Sequence, residues 1–101
     1  MSKVAVKRLG EREYMFTFEG EDHTMGSLLQ HYLQADERVD TAYYAKTHPL
    51  EEKIAVYVKL ATDADPVEVL REALEKIASD AREFREKLLE AYKKAGIDVE
   101  G

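Results

Sequence analysis

Four short segments are predicted to be β-strands, and in two of them, residues 14–19 and 53–60, side chains alternate with period two between the faces of a strand. The segments cover residues 3–9, 14–19, 39–46 and 53–60. Between the second and third segments, apolar residues recur at helical spacing over residues 24–34, which predicts a helix with one buried face. The apolar stripe of this helix consists of Met25, Leu28, Leu29, Tyr32 and Leu33.

A second and much longer helical pattern covers residues 66–94. Its start is well marked, because Asp65 can cap the helix and Pro66 occupies the first helical position. Glu68 completes an arrangement that is similar to a capping box. Gly96 is the natural stop. The long helix therefore has clear signals at both ends.

Together these elements predict a single domain over residues 1–101, with residues 97–101 as a flexible tail. The predicted fold class is α+β, in the order strand-strand-helix-strand-strand-long helix. We expect a four-stranded, mainly antiparallel sheet with both helices on one face.

The last helix is too long to be covered by its own sheet. It spans about 43 Å at 1.5 Å per residue, whereas four strands are about 19 Å wide. Its apolar residues recur at alternating spacings of four and three residues, which is the pattern of helices that pack on helices. These residues are Leu70, Leu74, Ile77, Ala81, Phe84, Leu88 and Ala91. Residues 67–77 can pack on the domain's own sheet or on a partner, whereas residues 84–92 are expected to contact a partner.

Composition narrows the possible functions. The net charge of -6 argues against an autonomous nucleic-acid binder and against docking on anionic lipid. Because the chain has no cysteine, it has no disulfide framework, thiolate metal site or thiol nucleophile. The sequence has neither a signal-peptide pattern nor an apolar run of membrane-spanning length. We therefore expect a cytoplasmic protein without a membrane segment.

No group of side chains has the spacing of a catalytic or metal site. His23, His31 and His48 lie far apart, whereas zinc ligands usually occur in pairs a few residues apart. Ser27 lacks the strained glycine-flanked turn of a hydrolase nucleophile. Gly20 belongs to no phosphate-loop motif. We expect no catalytic residue, cofactor, metal or small-molecule ligand.

Three tyrosines on the predicted strands offer one further possibility. Tyr43, Tyr44 and Tyr57 could form a platform on which bases stack. The acidic charge of the chain favours cross-strand aromatic packing instead.

Two blocks of sequence resemble a known family. The first block covers residues 20–29, and the second is His48-Pro49-Leu50 with Tyr44 and the strand over residues 53–60. They resemble subunit L of archaeal DNA-directed RNA polymerases. That family is similar to the small assembly subunits of eukaryotic polymerases and to the dimerising part of the bacterial alpha subunit. The resemblance runs from about residue 16 to the end of the last helix.

The sequence departs from the family at three places, and its last helix and tail are somewhat long for the family. The family usually has Leu where Met25 stands and Asn where Ser27 stands. Lys46-Thr47 replaces a more usual apolar-Pro pair. The change at Met25 conserves packing volume, whereas the change at Ser27 removes an amide and any hydrogen bond that it makes in the family.

The resemblance implies a heterodimer with the larger polymerase subunit of D type, formed by packing of helices on helices. The implied interface residues are Met25, Leu28, Leu29, Tyr32, Leu33, Leu70, Leu74, Ile77, Ala81, Phe84 and Leu88. The residues of the family blocks then have structural roles: Gly20, Glu21, Asp22, His23, Thr24, Gly26, His48, Pro49 and Leu50. The pair would be a platform for assembly of the two large subunits, which hold the catalytic magnesium and the nucleic-acid path.

Two other functions are compatible with parts of the pattern. A small-molecule regulatory module of the ACT type also has an Asp-Gly-Leu turn, to which Asp22, Gly26 and Leu28 are superficially similar. Its strand-helix-strand-strand-helix-strand order disagrees with the order predicted here. A self-associating scaffold would use the same helical stripe to pair with itself.

Overall fold

The computed structural model of the protein describes residues 4–47 and 50–95. The elements are β1 (Val4–Arg8), β2 (Glu13–Glu19), α1 (His23–Gln34), β3 (Val39–Lys46), β4 (Lys53–Leu60) and α2 (Pro66–Lys94). This order confirms the predicted α+β class and differs from the ACT order. The predicted turn at His48-Pro49, the Gly96 stop and the tail over residues 97–101 lie outside the described residues.

The four strands form one sheet in the order β1-β2-β4-β3. Every neighbouring pair is antiparallel, so the sheet is wholly antiparallel. β4 is flanked by strands on both sides, and it contributes four buried residues to one face: Ile54, Val56, Val58 and Leu60.

The core lies between this face of the sheet and the two helices. β2 contributes Phe16 and Phe18 to it, because alternate residues of a strand share a face. The helices contribute Leu29, Leu33, Val69, Leu70 and Ala73. Val4 and Val6 pair with Phe18 and Phe16 in register, yet both remain about half exposed on the edge strand β1.

α1 closes the outer edge of β3 through two glutamines. Gln34 Oε1 accepts from the Ala42 N–H at 2.8 Å, and its Nε2 donates to the Asp40 carbonyl at 3.2 Å. Gln30 Oε1 accepts from the Tyr44 N–H at 3.2 Å. Backbone groups on an open sheet edge can pair with a strand of another chain. These glutamines therefore protect β3 from such pairing.

Candidate functional site

α2 packs on the domain through its first three turns and is exposed after them. The Asp65 carboxylate accepts from the Val67 N–H at 3.0 Å, which confirms the predicted cap. Glu68 pairs with Arg71 at 2.6 Å, and this hydrogen bond holds the pKa of Glu68 below its ordinary value. The buried residues of the helix are Val69, Leu70 and Ala73. By contrast, every residue over 78–88 is exposed.

Polar contacts tie α2 to α1 and to the turn that follows α1. The Tyr32 hydroxyl donates to Asp80 Oδ2 at 2.5 Å, and this hydrogen bond raises the pKa of Tyr32. Arg38 donates to Asp36 Oδ2 at 2.6 Å and also contacts Glu72. The hydrogen bond from Arg38 holds the pKa of Asp36 below its ordinary value. These contacts join α2 to α1 and to the turn after it, in addition to the buried packing of Val69, Leu70 and Ala73.

The residues expected at a partner interface divide into three groups by their exposure. Leu29, Leu33 and Leu70 are buried in the domain's own core. The half-buried group is Met25, Tyr32, Leu74 and Ile77. The exposed group is Leu28, Ala81, Phe84 and Leu88. The buried members hold the helices on the sheet, so only the other two groups offer surface to a second chain.

The exposed part of α2 presents a continuous apolar stripe. We call it the overhang stripe: Ala81, Phe84, Leu88, Ala91 and Tyr92. The exposed fractions of Phe84, Leu88 and Tyr92 are 68%, 43% and 37%. Large aromatic side chains dominate interface energetics when they are buried. An α+β domain whose last helix presents such a stripe beyond its own core has the features of a dimerisation domain.

The glycine-bearing block after β2 forms a turn and starts α1. Gly20 has a φ of 81°, a conformation that residues with side chains rarely adopt, and its N–H donates to the Glu52 carbonyl at 2.6 Å. Asp22 accepts from the Thr24 N–H at 3.0 Å and so caps the start of α1. Glu21 is half-buried in this turn.

Gly26 has a packing role that the sequence pattern did not predict. A Cβ at this position would lie 2.5 Å from Cδ2 of Tyr44 and 2.8 Å from its Cγ. α1 can therefore approach β3 this closely only because residue 26 lacks a side chain. The His23 ring lies edge-on to the same tyrosine, with ring centroids 5.8 Å apart. The block thus seats α1 against the sheet, while Leu50 lies exposed near the start of β4.

The outer face of the sheet does not assemble the three tyrosines into one platform. Tyr43 and Tyr57 are register partners and stack with ring centroids 4.8 Å apart, which is the expected cross-strand packing. Tyr44 lies on the opposite, helix-covered face because consecutive residues of a strand point to opposite sides. A base-stacking platform of all three residues is therefore wrong.

The described residues were also considered for a metal site and for a membrane-spanning helix. In them, no three His, Asp or Glu side chains come together as metal ligands. Of the two helices over residues 4–47 and 50–95, neither combines the length and the apolar character that a membrane span requires.

Comparisons with known proteins identify the family to which the chain belongs. A family profile described as the RNA polymerase Rpb3/Rpb11 dimerisation domain matches residues 13–87. The DNA-directed RNA polymerase subunit Rpo11 of Aeropyrum pernix is 36% identical over 96 residues, which cover 95% of this chain and 97% of that protein. The chain therefore belongs to the Rpo11/Rpb11 (subunit L) family of DNA-directed RNA polymerases, which confirms the resemblance of the sequence blocks.

Other relatives extend the match to eukaryotes and to a solved structure. RNA polymerase II subunit RPB11 of Schizosaccharomyces pombe is 32% identical over 85 residues, covering 84% of this chain and 69% of that protein. DNA-directed RNA polymerase subunit L from Thermoplasma acidophilum has a crystal structure that matches with a TM-score of 0.77. The match covers 100% of this chain and 99% of that chain at 18% identity, and it supports the fold alone.

Proposed function

We propose that this chain is a non-catalytic assembly subunit of a DNA-directed RNA polymerase and that it pairs one-to-one with the larger subunit of Rpb3/D type. The observation that carries this proposal is the overhang stripe, in which Phe84 is 68% exposed although it continues the spacing that starts at the buried Leu70. A matched dimerisation profile over residues 13–87 supports the same function.

The physical reason for pairing is that the stripe has no cover from its own domain. Apolar surface removed from water contributes roughly 25 cal/mol per Å². An aromatic ring at the centre of such a patch is a frequent anchor of protein–protein binding. A helix of the partner laid along α2 would bury Phe84 and Leu88 together, because residues four apart lie on one face of a helix.

α1 would widen this interface beside α2. Leu28 is exposed and lies one turn before Tyr32 on the same face of α1. Since Tyr32 bonds Asp80 on α2, the face that contains Leu28 is close to the start of the overhang. We therefore assign Leu28, Met25 and the half-buried residues of both helices to the margin of the interface.

The pair would then act as a platform on which the two large polymerase subunits assemble. In this proposal the catalytic magnesium and the nucleic-acid path belong to those subunits. The contribution of this chain is to hold its partner in a fixed geometry.

Co-expression tests the proposal. The tagged chain is produced alone and together with the Rpb3/D-type subunit of the same genome, and the stoichiometry is measured by native mass spectrometry. We expect a stable one-to-one pair on co-expression and an aggregation-prone or weakly self-associated chain when it is produced alone. A well-behaved monomer that ignores the Rpb3/D-type subunit would contradict the proposal.

A further inference from the structure

The two edges of the sheet differ in how their backbone groups are satisfied. Gln30 and Gln34 close the outer edge of β3 with hydrogen bonds to its backbone. By contrast, no side chain in the described parts of the chain bonds the backbone of β1 (Val4–Arg8), which forms the other edge of the sheet. An open edge is a template to which a further strand can be added.

The outward backbone groups of β1 belong to alternate residues. The Leu9 N–H donates to the Glu13 carbonyl at 2.8 Å, which fixes the phase of the ladder between β1 and β2. Because hydrogen-bonded and non-bonded pairs alternate along antiparallel strands, Ala5 and Lys7 bond β2, and the residues next to them turn their N–H and C=O groups outward. These outward residues are Val4, Val6 and Arg8. β1 therefore offers donors and acceptors at the spacing of an extended backbone.

The side chains beside these outward groups include two exposed valines. The exposed fractions of Val4 and Val6 are 51% and 48%. Both lie on the helix-side face of the sheet, in register with Phe18 and Phe16. Arg8 turns its guanidinium to carbonyls of the hairpin turn at 2.8 Å, and the valines stay uncovered. A strand added at this edge would extend the core face, because its alternate residues would pack on the two valines.

The charges of β1 restrict which segments can pair with it. Lys7 and Arg8 are the only charged side chains of the strand, and like charges directly opposite each other on paired strands are destabilising. A basic segment is therefore disfavoured. A second copy of β1 is disfavoured for the same reason, since it would bring the same cations and no carboxylate. A carboxylate opposite Lys7 would form a favourable cross-strand pair instead.

We propose that β1 binds an extended segment of another protein by strand addition, and that this segment alternates apolar side chains with aspartate or glutamate. The apolar side chains would cover Val4 and Val6, and the acidic side chains would lie with Lys7 on the outer face of the sheet. Main-chain hydrogen bonds supply the affinity in this mode of binding, and the alternate side chains supply the specificity. β1 precedes residues 13–87, which the dimerisation profile matches, and the inference does not rest on the proposed function.

Two synthetic peptides test the proposal with the full chain. One peptide alternates valine and glutamate over about six residues, the length of a typical strand, and the other alternates valine and lysine. Both have blocked ends. Binding is followed by nuclear magnetic resonance, through the exchange rate of each amide of β1. In the free chain, the amides of Ala5 and Lys7 should be protected, whereas those of Val4 and Val6 should exchange fast.

Val6→Pro is the variant that separates strand addition from other kinds of binding. The N–H that it removes faces outward, so we expect the ladder between β1 and β2 to remain and the added strand to lose a donor. Val6→Thr is the matched control, because threonine keeps the N–H and the β-branched shape. Protection of the Ala5 and Lys7 amides reports whether β1 stays paired with β2 in each variant.

We expect the glutamate peptide to slow the exchange of the Val4, Val6 and Arg8 amides and to bind at least about fivefold more tightly than the lysine peptide. Val6→Pro should weaken binding of the glutamate peptide at least about tenfold, and Val6→Thr should stay within about threefold of the wild type.

Three results with the peptides would overturn the proposal. The glutamate peptide could leave the outward amides exchanging as they do in the free chain, it could bind no better than the lysine peptide, or it could bind Val6→Pro as tightly as the wild type. Protection of the outward amides that grows with protein concentration alone would identify a second copy as the occupant, and this result would overturn the proposal as well.

Discussion

Phe84→Asp is expected to abolish pairing with the Rpb3/D-type subunit and to leave the isolated domain folded. Phe84 is 68% exposed, so its replacement should change the free energy of unfolding of the free chain by less than about 0.5 kcal/mol. In the complex the new carboxylate would be buried without a partner, at a cost of roughly 3 kcal/mol or more. That cost corresponds to a loss of at least about 100-fold in affinity.

Ser79→Asp is the matched control for this prediction. It places the same charge at an exposed position of the same helix, about 170° away from the axis of the overhang stripe. Pairing should survive this change with little loss. The measurements are a pull-down from co-expressing cells, a titration of the purified chains and a thermal melt of each variant alone. If Phe84→Asp binds as well as the wild type does, the interface lies elsewhere on the chain.

Gly26→Ala is expected to destabilise the fold by about 1–3 kcal/mol, because the added methyl group overpacks the contact with Tyr44. The sign of this change in the free energy of unfolding is informative. In an exposed helix, the same replacement stabilises by up to about 1 kcal/mol, since glycine is a poor helix former. Here the new Cβ would lie 2.5 Å from the tyrosine ring, so either α1 or the ring has to move.

A double-mutant cycle separates this contact from general effects on the helix. In a Tyr44→Ala background, Gly26→Ala should become neutral or stabilising, because the ring that it meets is gone. Gly10→Ala is the matched control, since a Cβ there meets Glu13 only at 3.5 Å, an ordinary contact. Free energies of unfolding from urea titrations test both expectations. A destabilisation by Gly26→Ala that persists without the Tyr44 ring would mean that the contact is not its cause.

Gly26 also bears on the partner surface. α1 is seated on the sheet at Gly26 and reaches α2 through the Tyr32–Asp80 hydrogen bond. A shift of α1 would therefore alter the angle at which α2 leaves the domain. We expect Gly26→Ala to weaken pairing as well as folding, whereas Phe84→Asp should weaken pairing alone.

Much of the fold could be predicted from local signals. The bounds predicted for β3, β4 and α2 agree with the structure. Asp65-Pro66 marks the start of α2, and alternation marks β4. The predicted cap at Asp65 is confirmed by its hydrogen bond to the Val67 N–H. Such signals involve only a few neighbouring residues, so they can be recognised without knowledge of tertiary contacts.

The contacts between elements could not be predicted in the same way. The Gly26–Tyr44 approach joins residues on different elements, and a glycine near a helix start is compatible with several roles. The glutamines of α1 that bond β3 have spacing i, i+4, the available signal that they share a face. No pattern in the neighbouring sequence predicts that this face of α1 meets the edge of a strand.

The division of the α2 stripe into a buried and an exposed part also depends on tertiary structure. Leu70 and Phe84 belong to one run with alternating spacings, and the pattern alone does not distinguish them. Helix length against sheet width predicted that Phe84 would lie beyond the domain, and its exposure confirms this placement. The same comparison of lengths allows Leu70 to lie either in the domain's own core or at a partner. The structure places it in the core.

Photo-cross-linking from position 84 tests the pairing surface most directly. A benzoylphenylalanine replaces Phe84 in the chain assembled into polymerase, and the same group replaces Ser79 in a parallel preparation. After irradiation, mass spectrometry identifies the linked peptides. Position 84 should link to a helix of the Rpb3/D-type subunit, and position 79 should not link to that helix. Linkage of position 84 to any other subunit, or to a second copy of this chain, would contradict the account.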